Sequence, residues 1–129
     1  MEIRYLNTDL EIESKKELTT LIEAFGKEVF ILHHGLIKGM HHASFEFSHD
    51  HSSVPDEVIR RYCDLIEALT PTAKMIWNQC STRLIDIGVE SGSSPNCYRF
   101  EVQQSTLDRV ATIGASLAVS IYSMQTEEN

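Results

Sequence analysis

"FILHHGLIKGMHHASFEF", residues 30–47, is the stretch on which the fold turns. In its second half Ala43, Phe45 and Phe47 alternate with Ser44 and Glu46, the two-residue period of a half-buried strand. Read as an antiparallel hairpin turning at Ile37-Lys38, the stretch sets Phe30 opposite Phe45, Leu32 opposite Ala43 and His34 opposite His41 on one face. On the other face Ile31 meets Ser44 and His33 meets His42. This register brings the aromatic side chains together, as cross-strand packing favours.

The same hairpin carries most of the imidazole in the chain. All six histidines fall within nineteen consecutive positions, 33–51. Adjacent strand residues point to opposite faces, so neither His33-His34 nor His41-His42 is a two-ligand unit. Each face receives one pair. A structural zinc site needs four ligands and a catalytic one usually three, so the four histidines predict a hairpin rather than a complete metal site. His49 lies eight residues beyond His41, roughly 26 Å along a strand at about 3.3 Å per residue. With Asp50 and His51 it offers the residue types of a loop site or of acid–base chemistry, but adjacency in sequence does not supply the geometry. Should a metal bind, its candidate ligands are His33, His34, His41 and His42. No cofactor is expected.

Outward from the hairpin, the period of two recurs. Thr8, Leu10 and Ile12 alternate with Asp9, Glu11 and Glu13. Ile85, Ile87 and Val89 alternate with Asp86 and Gly88, and Tyr98, Phe100 and Val102 with Arg99 and Glu101. Leu117, Val119 and Ile121 alternate with Ala118 and Ser120. Between these strands the spacing becomes helical. Leu18, Leu21, Ile22 and Phe25 line a first helix stopped by Gly26. Ile59, Tyr62, Ile66 and Leu69 line a second that ends before Pro71, and Leu107, Val110 and Ala111 line a short third. Residues 72–80 add another short helix carrying Trp77. Ser14, Ser53 and Ser105 each precede an acid by three residues and are expected to cap helices. The pattern predicts one α+β domain over residues 1–129, with an acidic tail from about 124. Its mainly antiparallel sheet has about six strands, with helices packed on one face.

Composition narrows the function classes. Eleven Lys and Arg against nineteen Asp and Glu leave a net charge of −8. That excess repels phosphate backbones and anionic lipid, so neither nucleic acid nor a membrane is an expected partner, whereas a basic protein is. "MEIRYLNTDLEIES" lacks the basic and apolar regions of a signal peptide, and the longest uncharged run, "VATIGASLAVSIYSMQT", is shorter than the roughly 18 apolar residues of a membrane span. Cys63, Cys80 and Cys97 are odd in number without CxxC spacing, which points to reduced thiols and a cytoplasmic protein. No GxSxG elbow, HExxH helix, P-loop or GxGxxG turn occurs, so no catalytic centre is indicated.

If the apolar members of each strand face the helices, the other face is acidic. It collects Asp9, Glu11, Glu13, Glu46, Asp86 and Glu101, with Glu90 beyond the strand end, against Arg99 as the lone basic residue. An open antiparallel face must be polar, but seven carboxylates to one guanidinium also fits a docking surface for a basic protein. Glu11, Glu13, Glu46, Asp86, Glu101 and Tyr122 are the candidate partner-binding residues.

The closing segment, "YRFEVQQSTLDRVATIGASLAVSIYS", resembles the end of a family of small bacterial α/β domains whose last strand, helix and strand close in a similar pattern. "TPTAKMIW" after the middle helix fits the same family loosely. Some of its members resemble immunity proteins encoded beside secreted toxins, including those of contact-dependent growth inhibition. The resemblance implies a bacterial protein that binds a partner and assigns no residue a role. The expectation is a non-enzymatic inhibitor of a basic toxin domain. The alternative is a metal-binding protein or metal-dependent enzyme built on histidine and carboxylate. Since an unpaired edge strand can join its twin, either a monomer or a homodimer is compatible with the pattern.

Overall fold

A computed structural model describes residues 2–48, 52–93 and 97–124. The chain runs β1 (Arg4–Ser14), α1 (Thr19–Phe25), a 3-10 turn (Gly26–Glu28), β2 (Val29–Ile37), β3 (Met40–Phe47), α2 (Pro55–Glu67), α3 (Pro71–Gln79), β4 (Thr82–Glu90), α4 (Gln104–Thr112) and β5 (Ser116–Tyr122). This is a mixed α+β fold. The five strands form one sheet in the order β2-β3-β1-β4-β5, antiparallel except for the parallel pair β4 and β5.

Alternation sorts the central strands as their sequences require. Thr8, Leu10, Ile12 and Ser14 of β1, Ala43, Phe45 and Phe47 of β3, and Ile85, Ile87 and Val89 of β4 are buried. They pack with Leu21 and Phe25 of α1, Val58, Ile59, Tyr62 and Ile66 of α2, and Trp77 of α3. Phe25 meets Phe45 edge to face, with ring centroids 5.2 Å apart. The buried Tyr62 hydroxyl donates to the Thr8 carbonyl at 2.8 Å and lies 3.3 Å from that of Phe45, pinning α2 across two strands. The Trp77 indole donates to the Ile113 carbonyl at 2.7 Å, and Arg83 reaches the carbonyls of Cys80 and Gly114 just beyond α3 and α4. Those carbonyls follow helix ends, where free acceptors collect. Among the described residues no helix is long and apolar enough to cross a membrane.

Several expectations are corrected. The sheet has five strands rather than six, because residues 97–103 form no ladder. β5 runs parallel to β4 and takes its free edge, and a parallel neighbour requires a crossover of a dozen or more residues. Tyr98, Phe100 and Val102 lie within that crossover, half-buried against the core. Their alternation is that of a chain laid over a core, not of a strand within the sheet.

The hairpin turns at Lys38-Gly39, both at positive φ (51° and 81°), with Ile37 opposite Met40. Positive φ at both central residues is the two-residue hairpin geometry whose twist matches the strands. A β-bulge between Ile31 and His33 shifts the register again. Phe30 therefore faces Glu46 instead of Phe45, Ile31 faces Phe45 and His34 faces Ala43. None of the expected serine caps forms. Ser14 ends β1, Val54 and Gln103 precede α2 and α4 without side-chain caps, and Thr70 caps α3 instead, its hydroxyl 3.4 Å from the Ala73 amide. On α4 the buried side chains are Thr106 and Val110, while Leu107 is exposed.

Candidate functional site

The uncovered face of the sheet is built from the other half of each alternation. Asn7, Asp9, Glu11 and Glu13 look out from β1. Register places Asp9 directly opposite Asp86, Glu11 between Ser44 and Leu84, and Glu13 between His42 and Thr82. The Asn7 amide donates to Asp9 at 3.1 Å and to Glu46 at 3.0 Å, so one side chain holds two carboxylates abreast. The Ser120 hydroxyl of β5 lies 2.8 and 2.9 Å from the two oxygens of Asp86 and donates to that carboxylate. A line of acids thus crosses the sheet from Glu46 through Asp9 to Asp86, supported at its far end by Ser120. Gly88 leaves the room this needs: a Cβ there would sit 3.0 Å from the Asn7 side-chain oxygen and 3.3 Å from its carbonyl.

The proximity has an electrostatic cost. Burial lifts the Asp9 carboxyl to about 6, and the negative charges of Glu46, Asp86 and Glu11 push the same way. Glu90, at the end of β4, is neutralised by Arg4 at 3.0 Å and falls outside this uncompensated group.

Of the six candidate residues, the structure brings Glu11, Glu13, Glu46 and Asp86 together on the open face. Tyr122 shares that face at the end of β5, opposite Glu90 and half-exposed. Glu101 does not join them. It is exposed in the crossover segment, off the sheet, because the strand expected there is absent, and Arg99 leaves the face for the same reason. Sequence reasoning passed over Asn7, although it shares the parity of Asp9, and placed Ser120 on this face by its alternation without giving it a role. It also passed over Phe30 and Ile37 on the β2 side of this face, Phe30 because the bulge leaves no mark in the sequence and Ile37 because the turn lies one residue later than expected.

The histidines divide two to a face, as alternation requires. His33 and His42 share the open face, diagonal to one another and not directly opposed: the register pairs them with Ser44 and Gly35. Their Nδ1 atoms nevertheless meet at 2.9 Å, a hydrogen bond in which one nitrogen donates and the other must be unprotonated. His34 and His41 stand opposite Ala43 and Leu36. Among the described residues no group of three or more His, Cys, Asp or Glu is arranged to hold a metal ion. His49, Asp50 and His51, like the tail from 125, lie outside the described residues. Burial pushes the thiols of Cys63 and Cys80 up to about 11, which leaves them protonated and poor nucleophiles at neutral pH.

No protein-family model, curated protein or solved structure matches this chain.

Proposed function

We propose that this chain is a protein-binding inhibitor without catalytic activity, of the immunity type, which neutralises a basic toxin domain in the cytoplasm by docking the open face of its sheet against it. The observation that carries the reading is the line Glu46–Asp9–Asp86 on a face that no helix covers among the described residues, with Asp9 lifted to about 6 by its surroundings. Carboxylates held abreast at a cost are relieved when a partner brings Lys or Arg among them, and complementary fields of this kind accelerate and select association. Phe30 and Ile37 on one side of the acids and Tyr122 on the other, each about half exposed, supply apolar contact area next to the charge. A nuclease or RNA-binding toxin fits because its own active site must be basic to hold phosphate.

The test is association kinetics with the partner isolated from the native host. Glu11→Lys combined with Glu13→Lys is expected to lower the on-rate about tenfold or more at low salt and to flatten its salt dependence. Unchanged kinetics would remove this surface from the account. A second reading rests on the His33–His42 pair, two imidazole nitrogens already side by side. In that case the chain is a histidine- and carboxylate-dependent metal protein or metal-dependent enzyme. Metal analysis of untagged protein separates the two readings: about one zinc, iron or manganese per chain, lost in His33→Ala, favours the second.

A further inference from the structure

We propose that the outer edge of β2 joins two copies of this chain as antiparallel strands. Among the described residues β2 is hydrogen-bonded to β3 alone, and the backbone groups along its other side meet no partner strand. An open edge of this kind is a template for pairing, which proteins usually blunt with Lys, Pro or inward-pointing charge. Here there is none of these from Val29 to Ile37, only the bulge near His33. The edge is apolar on both sides instead. Phe30, Ile31, Leu32, Leu36 and Ile37 are 45–65 % exposed, two apolar groups on either side of His33-His34-Gly35 along one edge of a chain of net charge −8. Apolar strips of this size on a monomer mark contact sites.

Charge selects a second copy as the occupant. Two molecules at −8 repel through every acidic face, and β2 brings no acid to the seam within its length. The residues flanking it are opposite in sign, Glu28 before and Lys38 after, and Glu28, 3.9 Å from Arg61 of its own chain, keeps most of its side chain in solvent. An antiparallel pairing that keeps each side chain on its own face sets Phe30 beside the second copy's Ile37 on the open side. It sets Ile31 beside the second copy's Leu36 on the helix side, and Glu28 then approaches the second copy's Lys38. A two-fold axis repeats each contact, as a self-complementary interface demands. The other sheet edge, β5, also exposes Val119 and Ile121 but lacks this complementarity: from Ser116 to Met124 there is neither a basic nor an acidic residue. Joined through β2, two sheets become one of ten strands with both acidic faces on the same side, so the surface assigned to a basic partner stays free.

Sedimentation of the untagged full chain over a concentration series tests this. The expected species is a dimer at twice the 14.6 kDa chain mass. Leu32→Lys with Leu36→Lys is expected to leave monomer with unchanged circular dichroism, and Ile121→Lys on the opposite edge to leave the dimer intact. Lys38→Glu is expected to weaken the dimer about threefold, and adding Glu28→Lys, although it also removes the pairing with Arg61, to restore it at the original net charge, which decides the matter even where the lysine pair fails to fold. A wild type that stays monomeric at its highest soluble concentration overturns the proposal. So does a dimer that survives the lysine pair, one lost in Ile121→Lys, or one that the double exchange does not restore.

Discussion

β1 and β2 stand two places apart in one sheet and meet solvent in opposite ways. β1 has a strand on each side and helices over one face, so Leu10 and Ile12 are fully buried while Asp9, Glu11 and Glu13 look outward. β2 has a single neighbour. Its Val29 is buried at the start, but Phe30, Ile31, Leu36 and Ile37 are each about half exposed, whichever face they belong to. The usual distribution is thus reversed across the open surface, with charge near the middle and grease at the rim. Alternation sorts apolar from polar only where something covers one face. At an edge beyond the reach of the helices there is nothing to sort against, and the run "VFIL" does not alternate.

The contrast is sharpest across one cross-strand pair, Ile31 and Phe45, which are directly opposed. Phe45 is fully buried under α1 and Ile31 is 54 % exposed. Phe45→Ala is expected to destabilise the fold by about 3–5 kcal/mol in urea unfolding, through lost burial and the cavity left beside Phe25. Next in size comes Tyr62→Phe, which strips the hydroxyl from two buried carbonyls and is expected to cost about 1–2 kcal/mol with the ring packing retained. A cost near zero for either substitution would mean that β1 and β3 are not the packed centre described here.

How much of this was legible beforehand follows the same divide. Leu10, Phe45 and Ile87 could be placed on the helix side, and Asp9, Glu11, Glu46 and Asp86 opposite them, because central strands covered on one face must alternate. Phe30 could not, since the bulge between Ile31 and His33 leaves no mark in the local pattern and reverses the faces of the residues before it relative to those nearer the turn. Tyr98, Phe100 and Val102 misled for a different reason. A segment lying on a core also buries alternate side chains, and only the ladder it fails to make distinguishes it from a strand. Glu101 was lost from the candidate surface on that account. The parallel pairing of β5 with β4 depends on how residues 91–115 cross over, which no local period encodes. The caps failed because Ser14 is held in β1, where its hydroxyl accepts from the Lys16 amide instead of starting a helix.

Asp9 offers a test of the charged half of the comparison. Its folded-state value of about 6 lies above the ordinary carboxylate value of 3.8, so the folded chain holds this proton more tightly than the unfolded one. Stability from this group therefore falls as pH rises from about 4 to about 6, and the whole penalty is present above that window. Asp9 is only partly buried, and solvent screening reduces the effect to the order of 1 kcal/mol. Asp9→Asn, which keeps an oxygen for the Asn7 amide, is expected to raise stability at pH 7 by about that amount and to flatten the slope between pH 4 and 6. An Asp9→Asn variant less stable than the wild type at pH 7 would show that the acids of β1 are held there by favourable contacts and that the open face carries no electrostatic load.

The smallest expected effect bears on the greasy rim. Ile31→Thr retains the branched shape that suits a strand and exchanges the ethyl arm for a hydroxyl on a side chain already half in water, so its cost in the monomer is expected to stay below about 0.5 kcal/mol. Measurement belongs at protein concentrations low enough to exclude association, because a contact between copies would add its own share to the loss. The matched control is Ile87→Thr in β4, where the side chain is 1 % exposed and a hydroxyl would enter the core without a partner. Equal losses at the two sites would mean that β2 is as well covered as β4, and the distinction between a packed centre and an unfinished edge would fall. A small loss at Ile31 beside a large one at Ile87 would instead leave the apolar side chains of β2 without a role in the folding of the single chain, since their removal costs the fold almost nothing.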